Sequence, residues 1–262
     1  SYQDISFKVD LPTRKAGQFT LFGMGGNSNI DFKGDLKDTA TFYNDPYHNL
    51  YNSTKTGVVG VKHTYFLNRS TSYAFTLAAT GSNVITHQDS LDAFQMPHKK
   101  YRENGNEWRY TASFVFNSKV SVSSRFTTGI TADQLHYSYK DSVLDAGHGF
   151  IPFLQERNYT HLLRGYVQWQ QRFSSRFRLN TGVYSQNLGL NKNTSVDSRT
   201  GIVYTLSPGS ALTVAYGNHS QMQPLMTYFH ETRVAPGINA QTNRNLGFTE
   251  SQHLVAGWDK VF

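Results

Sequence analysis

The chain contains no cysteine among its 262 residues. This absence excludes a disulfide framework, a thiolate metal site and a cysteine nucleophile. Long apolar runs are also missing, because no stretch approaches the roughly 20 residues that a membrane-spanning helix requires. The mean hydropathy of −0.51 agrees with that absence. The sequence therefore argues against helical membrane spans but leaves open a crossing by strands, in which only alternate residues meet lipid.

Acidic residues are fewer than basic ones. Asp and Glu number 18 against 25 Lys and Arg, which gives a formal net charge of +7. The basic residues are scattered over alternating positions and polar segments instead of forming a stripe that could follow a phosphate backbone. The sequence therefore predicts no nucleic-acid partner. It favours basic side chains that line a polar interior or contact anionic lipopolysaccharide.

Segments of alternating apolar and polar residues come in pairs, joined by tight turns at one end and by long polar stretches at the other. Residues suited to tight turns occur at 11–17, 67–71, 117–119, 173–176 and 206–210. The long polar stretches are 27–53, 88–104, 140–156 and 221–248, and 187–195 is a shorter exception. Compact soluble domains seldom contain loops longer than about 15 residues. This asymmetry is typical of antiparallel barrels in a bacterial outer membrane.

The predicted strands have one apolar and one polar face, because successive side chains of a strand point to opposite sides. In residues 107–117 the apolar face carries Trp108, Tyr110, Ala112, Phe114 and Phe116. In residues 159–173 the apolar face carries Leu163, Val167, Trp169 and Phe173, and the opposite face carries Thr160, Arg164, Gln168, Gln170 and Arg172. A water-filled or plugged lumen would accept this polar face. A soluble β-sandwich with one wet face has the same period and is the alternative.

Two further features favour the membrane barrel. Aromatic residues make up 14% of the chain, and Phe173 and Phe177 flank a tight turn, where an interfacial girdle is expected. The runs 54–67 and 107–117 reach the roughly 9–11 residues that a tilted strand needs to cross hydrocarbon. We therefore predict an all-β fold, an antiparallel transmembrane β-barrel with short periplasmic turns and long extracellular loops.

Eleven strand-like runs can be counted. They are about 4–10, 17–26, 54–67, 71–86, 107–117, 123–139, 157–173, 176–188, 196–206, 210–220 and 249–261. An odd number is unusual for a closed bacterial barrel, so either one strand is miscounted or the chain is part of something larger. No shift in composition marks a second domain, and residues 1–262 are predicted to belong to one barrel domain.

Four segments occur in a distinctive order: 1–9 with Leu11-Pro12 and Lys15-Ala16-Gly17, 216–221 with Pro224 and Tyr228-Phe229, 243–246, and 251–259. In this order they resemble the barrel domain of TonB-dependent outer-membrane receptors, of the kind that carries an N-terminal carboxypeptidase-regulatory-like module. The receptors have a similar order: a glycine-histidine strand end, a long loop, an Asn-x-x-Leu element, and a Ser-x-His strand leading into Gly-aromatic-acid. The resemblance extends along the whole chain.

This resemblance implies a 22-stranded barrel, of which eleven strands are about half. It also implies a plug domain, energy from the TonB complex acting through that plug, and uptake of a scarce nutrient: a metal chelate, corrinoid, glycan or peptide. The expected location is the outer membrane. The expected partners there are lipid and lipopolysaccharide, and a surface lipoprotein is a possible further partner. Nothing in the sequence resembles a plug or a TonB box, so the plug is expected to be absent from this chain.

Two alternatives remain from the sequence. The chain could be a complete small barrel that ends at Phe262, with His87, Asp89 and Asp92 as an acid-base set of a protease-like or lipase-like enzyme. No nucleophile is identifiable beside that set, so we predict no catalytic residues and no enzyme activity. The other alternative is a soluble β-sandwich adhesin.

The predicted ligand contacts lie around the last long polar stretch. They are His219, Gln221, Tyr228 and His230, which combine aromatic and polar groups. His219, Met222, Met226 and His230 could also hold a soft metal such as copper, but their spacing matches no defined metal motif. We therefore predict neither a metal site nor a cofactor.

Overall fold

The computed structural model describes residues 1–35, 45–235 and 238–261. Residues 36–44, within the first predicted long loop, and the predicted terminal aromatic Phe262 lie outside the described residues. No helix in the described part is both long and apolar enough to cross a membrane. The strands are β1 (Tyr2–Pro12), β2 (Gln18–Phe32), β3 (His48–Phe66), β4 (Thr71–Leu91), β5 (Pro97–Lys119), β6 (Ser124–Asp145), β7 (Gly149–Arg172), β8 (Phe177–Leu188), β9 (Asn193–Ser207), β10 (Ser210–Gln221), β11 (Thr232–Ala235), β12 (Ile238–Ala240) and β13 (Thr249–Lys260). A 3₁₀ helix covers Leu225–Phe229.

Eleven of these strands form one antiparallel sheet in the order β1 to β10 followed by β13. Each strand from β1 to β9 pairs with the next one in sequence, and β10 pairs with β13, which makes the sheet an up-and-down meander. Within the described residues β1 pairs only with β2, and β13 pairs only with β10. The predicted number of eleven strands is confirmed. The alternative of two stacked sheets is wrong, because the only additional pairing described is the small β11–β12 hairpin.

The two faces of the sheet differ in polarity as the alternation predicts. On one face Thr111 of β5 donates a hydrogen bond to Asp133 of β6, which also accepts one from Arg164 of β7. We call this polar side the lumen face. On the opposite side, the outer face, Trp108 and Tyr110 are about half exposed, at 52% and 50%. Exposed aromatic and aliphatic groups in such density need lipid rather than water.

Aromatic rings on the outer face form rows near both edges of the apolar band. Toward the tight turns, Phe19 stacks on His63 with centroids 4.5 Å apart, and Tyr73 lies 5.6 Å from Tyr65. Toward the other end, the His136 ring lies 5.6 Å from that of Tyr110 and 5.7 Å from that of Tyr159. Tyrosine and related rings favour the membrane interface, where one end of the side chain is wet and the other is in lipid.

Four of the five predicted tight turns lie where the sequence places them. Gly209 closes the turn between β9 and β10 with a φ of +82°, a conformation in which glycine lacks the steric cost of a Cβ. The turn predicted at 117–119 is displaced, because the β5–β6 ladder continues to the pair Lys119 and Arg125. The chain reverses instead at residues 120–123.

At the opposite end, two of the predicted long loops are mostly strand. β4 and β5 continue to Leu91 and Pro97, and β6 and β7 continue to Asp145 and Gly149. Tyr101 stacks on Phe153 with centroids 6.1 Å apart, so the two hairpins support each other beyond the apolar band. The asymmetry between the two ends is therefore confirmed, although the long side is built of projecting hairpins.

The segment between β10 and β13 folds onto the lumen face and forms a hydrophobic core there. The 3₁₀ helix contributes Leu225, Tyr228 and Phe229, all of which are buried. The Phe229 ring stacks on Tyr137 of β6 with centroids 4.6 Å apart. The other buried members of this cluster are Leu135, Tyr139, Leu154, Leu162 and Leu188.

Candidate functional site

A recess of about 570 Å³ lies on the lumen face over β7 to β10 and β13. Its floor is made of small residues, and its walls carry aromatic, histidine and arginine side chains. The strand register explains this arrangement, because Gly217 of β10 is the partner of both Arg199 on β9 and His253 on β13. The side chains that line the recess from the lumen face include Tyr166, Gln168, Asn180, Tyr184, Arg199, His219, His253 and Val255.

Gly217 lies at the floor of the recess and has no side chain to fill it. A Cβ added at this position would lie 3.1 Å from the Cγ of Arg199, closer than ordinary van der Waals contact. The stem of Arg199 lies across β10 at this position, and a side chain at residue 217 would require it to shift by a few tenths of an ångström.

Arg199 is the main charge of the recess. Its side chain is exposed, and its guanidinium carbon lies 5.8 Å from the centre of the Tyr184 ring. Among the described residues no carboxylate lies within ion-pair distance of Arg199. A guanidinium with free donors beside an aromatic face suits a ligand with an anionic group and a flat apolar group.

Two histidines face each other on the same side of the recess. The rings of His219 and His253 have centroids 5.0 Å apart and are nearly perpendicular, at 81°. The Oγ of Ser251 lies 3.1 Å from Nε2 of His253 and fixes that ring from the other side. The pair adds polar groups that donate or accept hydrogen bonds according to their protonation.

A buried ion pair supports the wall of the recess. Arg164 donates to Asp133 at 2.5 Å, and Thr111 donates to the same carboxylate at 2.6 Å. The Asp133 side chain is 0% exposed. These hydrogen bonds link β5, β6 and β7 beside Tyr184, which itself contacts Arg164.

A second buried carboxylate links β9 and β10. Asp197 accepts hydrogen bonds from the backbone N–H of Ser220 at 3.0 Å and from its hydroxyl at 2.6 Å. Gln186 of β8 donates to the carbonyl of Ser220 at 2.8 Å. These contacts fix the upper end of β10, from which His219 enters the recess.

The four predicted ligand contacts do not lie together. His219 lines the recess, and Gln221 is exposed at the end of β10. Tyr228 is 0% exposed, and its hydroxyl accepts a hydrogen bond from the backbone N–H of Gln223 at 3.3 Å. In this conformation Tyr228 therefore supports the folded loop instead of facing the lumen. His230 is exposed just beyond the 3₁₀ helix.

Sequence reasoning missed Arg199, Tyr184 and His253 as members of the site. They lie on three different strands, and only the register of β8, β9, β10 and β13 brings them together. The alternation of each strand could have placed all three on the lumen face, but it could not show that they lie together.

The soft-metal group and the acid-base set considered from the sequence do not form sites in the described residues. Met222 and Met226 pack against the hydrophobic core of the loop. No group of three or more His, Cys, Asp or Glu residues in the described ranges could hold a metal ion. Asp92, from the predicted acid-base set, is hydrogen-bonded to His98 at 2.9 Å and to the backbone N–H groups of Phe94 and Met96, so it shapes the β4–β5 turn.

A strained pair of carboxyl groups lies in the projecting part of the β5–β6 hairpin. Asp141 is the direct cross-strand partner of Glu103, to which the Tyr101 hydroxyl donates at 3.3 Å. Asp141 is only 5% exposed, and its Oδ1 has no hydrogen-bond partner. Burial, with repulsion from Glu103 as the second cause, raises the pKa of Asp141 from 3.8 to about 6.

Together the sheet and the recess define a class of structure: an antiparallel wall of the transmembrane β-barrel type, with a recess on its polar face. No protein-family model and no curated protein matches the chain. Solved structures do. The chain is similar to the RagAB peptide transporter, with a TM-score of 0.58 and 9% identity over 98% of this chain and 38% of that one. It is also similar to the copper transporter OprC, with a TM-score of 0.50 and 9% identity over 98% of this chain and 50% of that one.

These similarities show the fold. The chain spans half or less of the length of either protein. The predicted fold class is confirmed: an antiparallel sheet of the transmembrane barrel type, with tight turns at one end and long hairpins at the other. Eleven strands are consistent with about half of a 22-stranded barrel.

Proposed function

We propose that this chain forms part of the barrel wall of an outer-membrane transporter or receptor that takes up a scarce nutrient. The observation that carries the proposal is the recess on the lumen face, where the exposed Arg199 has no anionic partner among the described residues. A recess of that size, lined by apolar and aromatic surface with a few polar groups, suits a ligand on its way through the lumen.

The similar structures support transport as the general role. One is named as a peptide transporter and the other as a copper transporter. We extend this role to the finer features that the sequence resemblance implies: energy from the TonB complex, a plug and the carboxypeptidase-regulatory-like subtype. A metal chelate, corrinoid, glycan or peptide remains the proposed class of nutrient.

The recess favours ligands with an anionic group. Arg199 offers up to five N–H donors in a planar fork, which suits a carboxylate or phosphate, and Tyr184 offers a flat apolar surface beside it. His219 and His253 can complete the polar contacts. This arrangement would bind peptides and acidic chelates better than neutral sugars.

Uptake by a deletion strain tests the proposal. The strain should lose uptake of at least one of the four nutrient classes, and the full-length gene should restore it. Arg199→Gln should lower uptake about tenfold or more, because a charge-assisted contact contributes roughly 1.5–3 kcal/mol. Arg176→Gln removes the same charge from an exposed turn and should have no effect.

Immunoblots of outer-membrane fractions should show equal amounts of both variants. Unchanged uptake of every nutrient by the deletion strain would contradict the proposed function. If the deletion strain loses uptake but the Arg199→Gln variant takes up the nutrient normally, the transport function is supported and the recess is not the binding site.

A further inference from the structure

Four cationic side chains converge on the lumen face at the tight-turn end of β5 to β8. They are Lys119, Arg125, Arg172 and Arg178, and they line a cleft of about 200 Å³. The register brings them together, because Lys119 pairs with Arg125 and Arg172 pairs with Arg178 across their strands. We call this cleft the basic rim.

The basic rim has no acidic partner in the part of the chain that the structure describes. No carboxylate of the described residues lies within ion-pair distance of any of the four cations. The described polar contact of their side chains is a donation from Arg172 to the carbonyl oxygen of Val122, at 3.3 Å. Like charges opposite each other on a strand pair destabilise the sheet. An anion bound among the four would remove that cost.

Hydroxyl groups of the adjacent turn complete the lining. Ser121 and Ser123 border the cleft, with their Oγ atoms 3.3 Å apart. Ser121 also accepts a hydrogen bond from the backbone N–H of Ser123, at 3.2 Å, which holds the turn in place. Guanidinium groups combined with hydroxyl donors are a typical set for phosphoryl oxygens.

Size and charge favour a phosphate-type anion over a single carboxylate. The cleft is too small for a folded segment but accommodates one or two phosphoryl groups. Four positive charges match an anion that carries two or more negative charges, whereas a carboxylate carries one.

We propose that the basic rim is a binding site for phosphate groups at the periplasmic end of the lumen, separate from the recess around Arg199. The phosphate can come from a soluble compound in the lumen or from a phospholipid head group of the periplasmic leaflet. The proposal does not depend on the transport function, because it follows from the charges of the rim alone.

Binding of pyrophosphate to the full-length protein tests the soluble source. Calorimetry in a phosphate-free maltoside detergent should show binding that weakens as the salt concentration rises. The double variant Arg172→Gln with Arg178→Gln should bind at least tenfold more weakly. The matched control, Arg14→Gln with Arg69→Gln, removes two charges from other tight turns and should bind within twofold of the unchanged protein.

Lipid analysis of the same purified proteins tests the second source. Mass spectrometry should find phosphatidylglycerol retained by the unchanged protein and by the control but not by the rim variant. Circular dichroism must show the same strand content in all three. The proposal is overturned if the unchanged protein binds neither probe, or if the control loses as much binding as the rim variant.

Discussion

Asp141 shows how a single buried carboxyl group makes stability depend on pH. Its pKa is raised to about 6 from 3.8, so between these values the folded chain binds more protons than the unfolded chain. Stability therefore falls as the pH rises through this window. Asp141 lies seventeen positions after Ser124, the turn end of β6, so it is beyond the part of the strand that crosses hydrocarbon.

Replacement by a neutral isostere should remove this dependence. Asp141→Asn should raise the free energy of unfolding at pH 7.5 by about 1–2 kcal/mol, because the repulsion from Glu103 and the buried charge both disappear. At pH 4 the variant and the unchanged protein should be equally stable. Urea unfolding in detergent micelles at the two pH values measures the difference, and a gain that is equal at both would contradict the assignment.

For single residues, the sequence predicted which side chains lie on the polar face of the sheet. It did not predict which of them contact each other across strands. Alternation placed Arg164 on the lumen face, and the structure confirms that position. Its partner Asp133 lies 31 residues earlier, and only the β6–β7 register brings the two together. The register depends on where each turn begins, and a displacement of a few residues, as at 120–123, changes every cross-strand pair.

The segment between β10 and β13 is the element in which local sequence was least informative. It lacks a clear period, and the sequence predicts only a polar loop. The structure instead shows a 3₁₀ helix and the β11–β12 hairpin. The reason is tertiary: Leu225, Tyr228 and Phe229 gain burial against β6, which no local pattern reveals.

Phe229 should act as the anchor of this loop. Phe229→Ala removes a 0%-exposed ring that stacks on Tyr137, and such truncations cost roughly 3–5 kcal/mol in a core. Limited proteolysis should then cleave within 221–248 at least tenfold faster, while the sheet stays intact. Phe94→Ala, at an 87%-exposed ring in another loop, should leave that cleavage rate unchanged. Equal rates for both variants would show that the loop does not depend on this ring.

The predicted ends of the strands also differ from those in the structure. The eleven runs identified by alternation correspond one to one with the strands of the sheet. Their upper ends were predicted too short, because beyond the apolar band polar and apolar residues no longer alternate, as at Val143-Leu144 and Phe150-Ile151. Cross-strand contacts, such as Arg102 over the Phe150 ring at 4.2 Å, replace it as the stabilising interaction.

In the whole molecule, the sheet separates lipid on its outer face from water on its lumen face. Val214 is 51% exposed on the outer face of β10, and Thr213, the preceding residue, faces the lumen. The same substitution at these neighbours should therefore have opposite consequences.

Val214→Arg should reduce the folded, heat-modifiable form in outer-membrane fractions, because an arginine on the lipid face near mid-membrane costs about 2–4 kcal/mol. Thr213→Arg should assemble almost normally, since water in the lumen can solvate the charge. Gel mobility of unheated samples measures both. Similar losses for the two variants would indicate that this face of the sheet does not meet lipid.

The projecting hairpins place two loop tips far from the apolar band of the sheet. β7 has 24 residues, and a tilted strand needs only about 9–11 of them to cross hydrocarbon. More than half of its length, on the order of 40 Å of chain, therefore stands outside the bilayer. The hairpin tips near Phe94 and His148 are consequently the natural points of attachment for an antibody fragment or a label that must stay clear of the membrane.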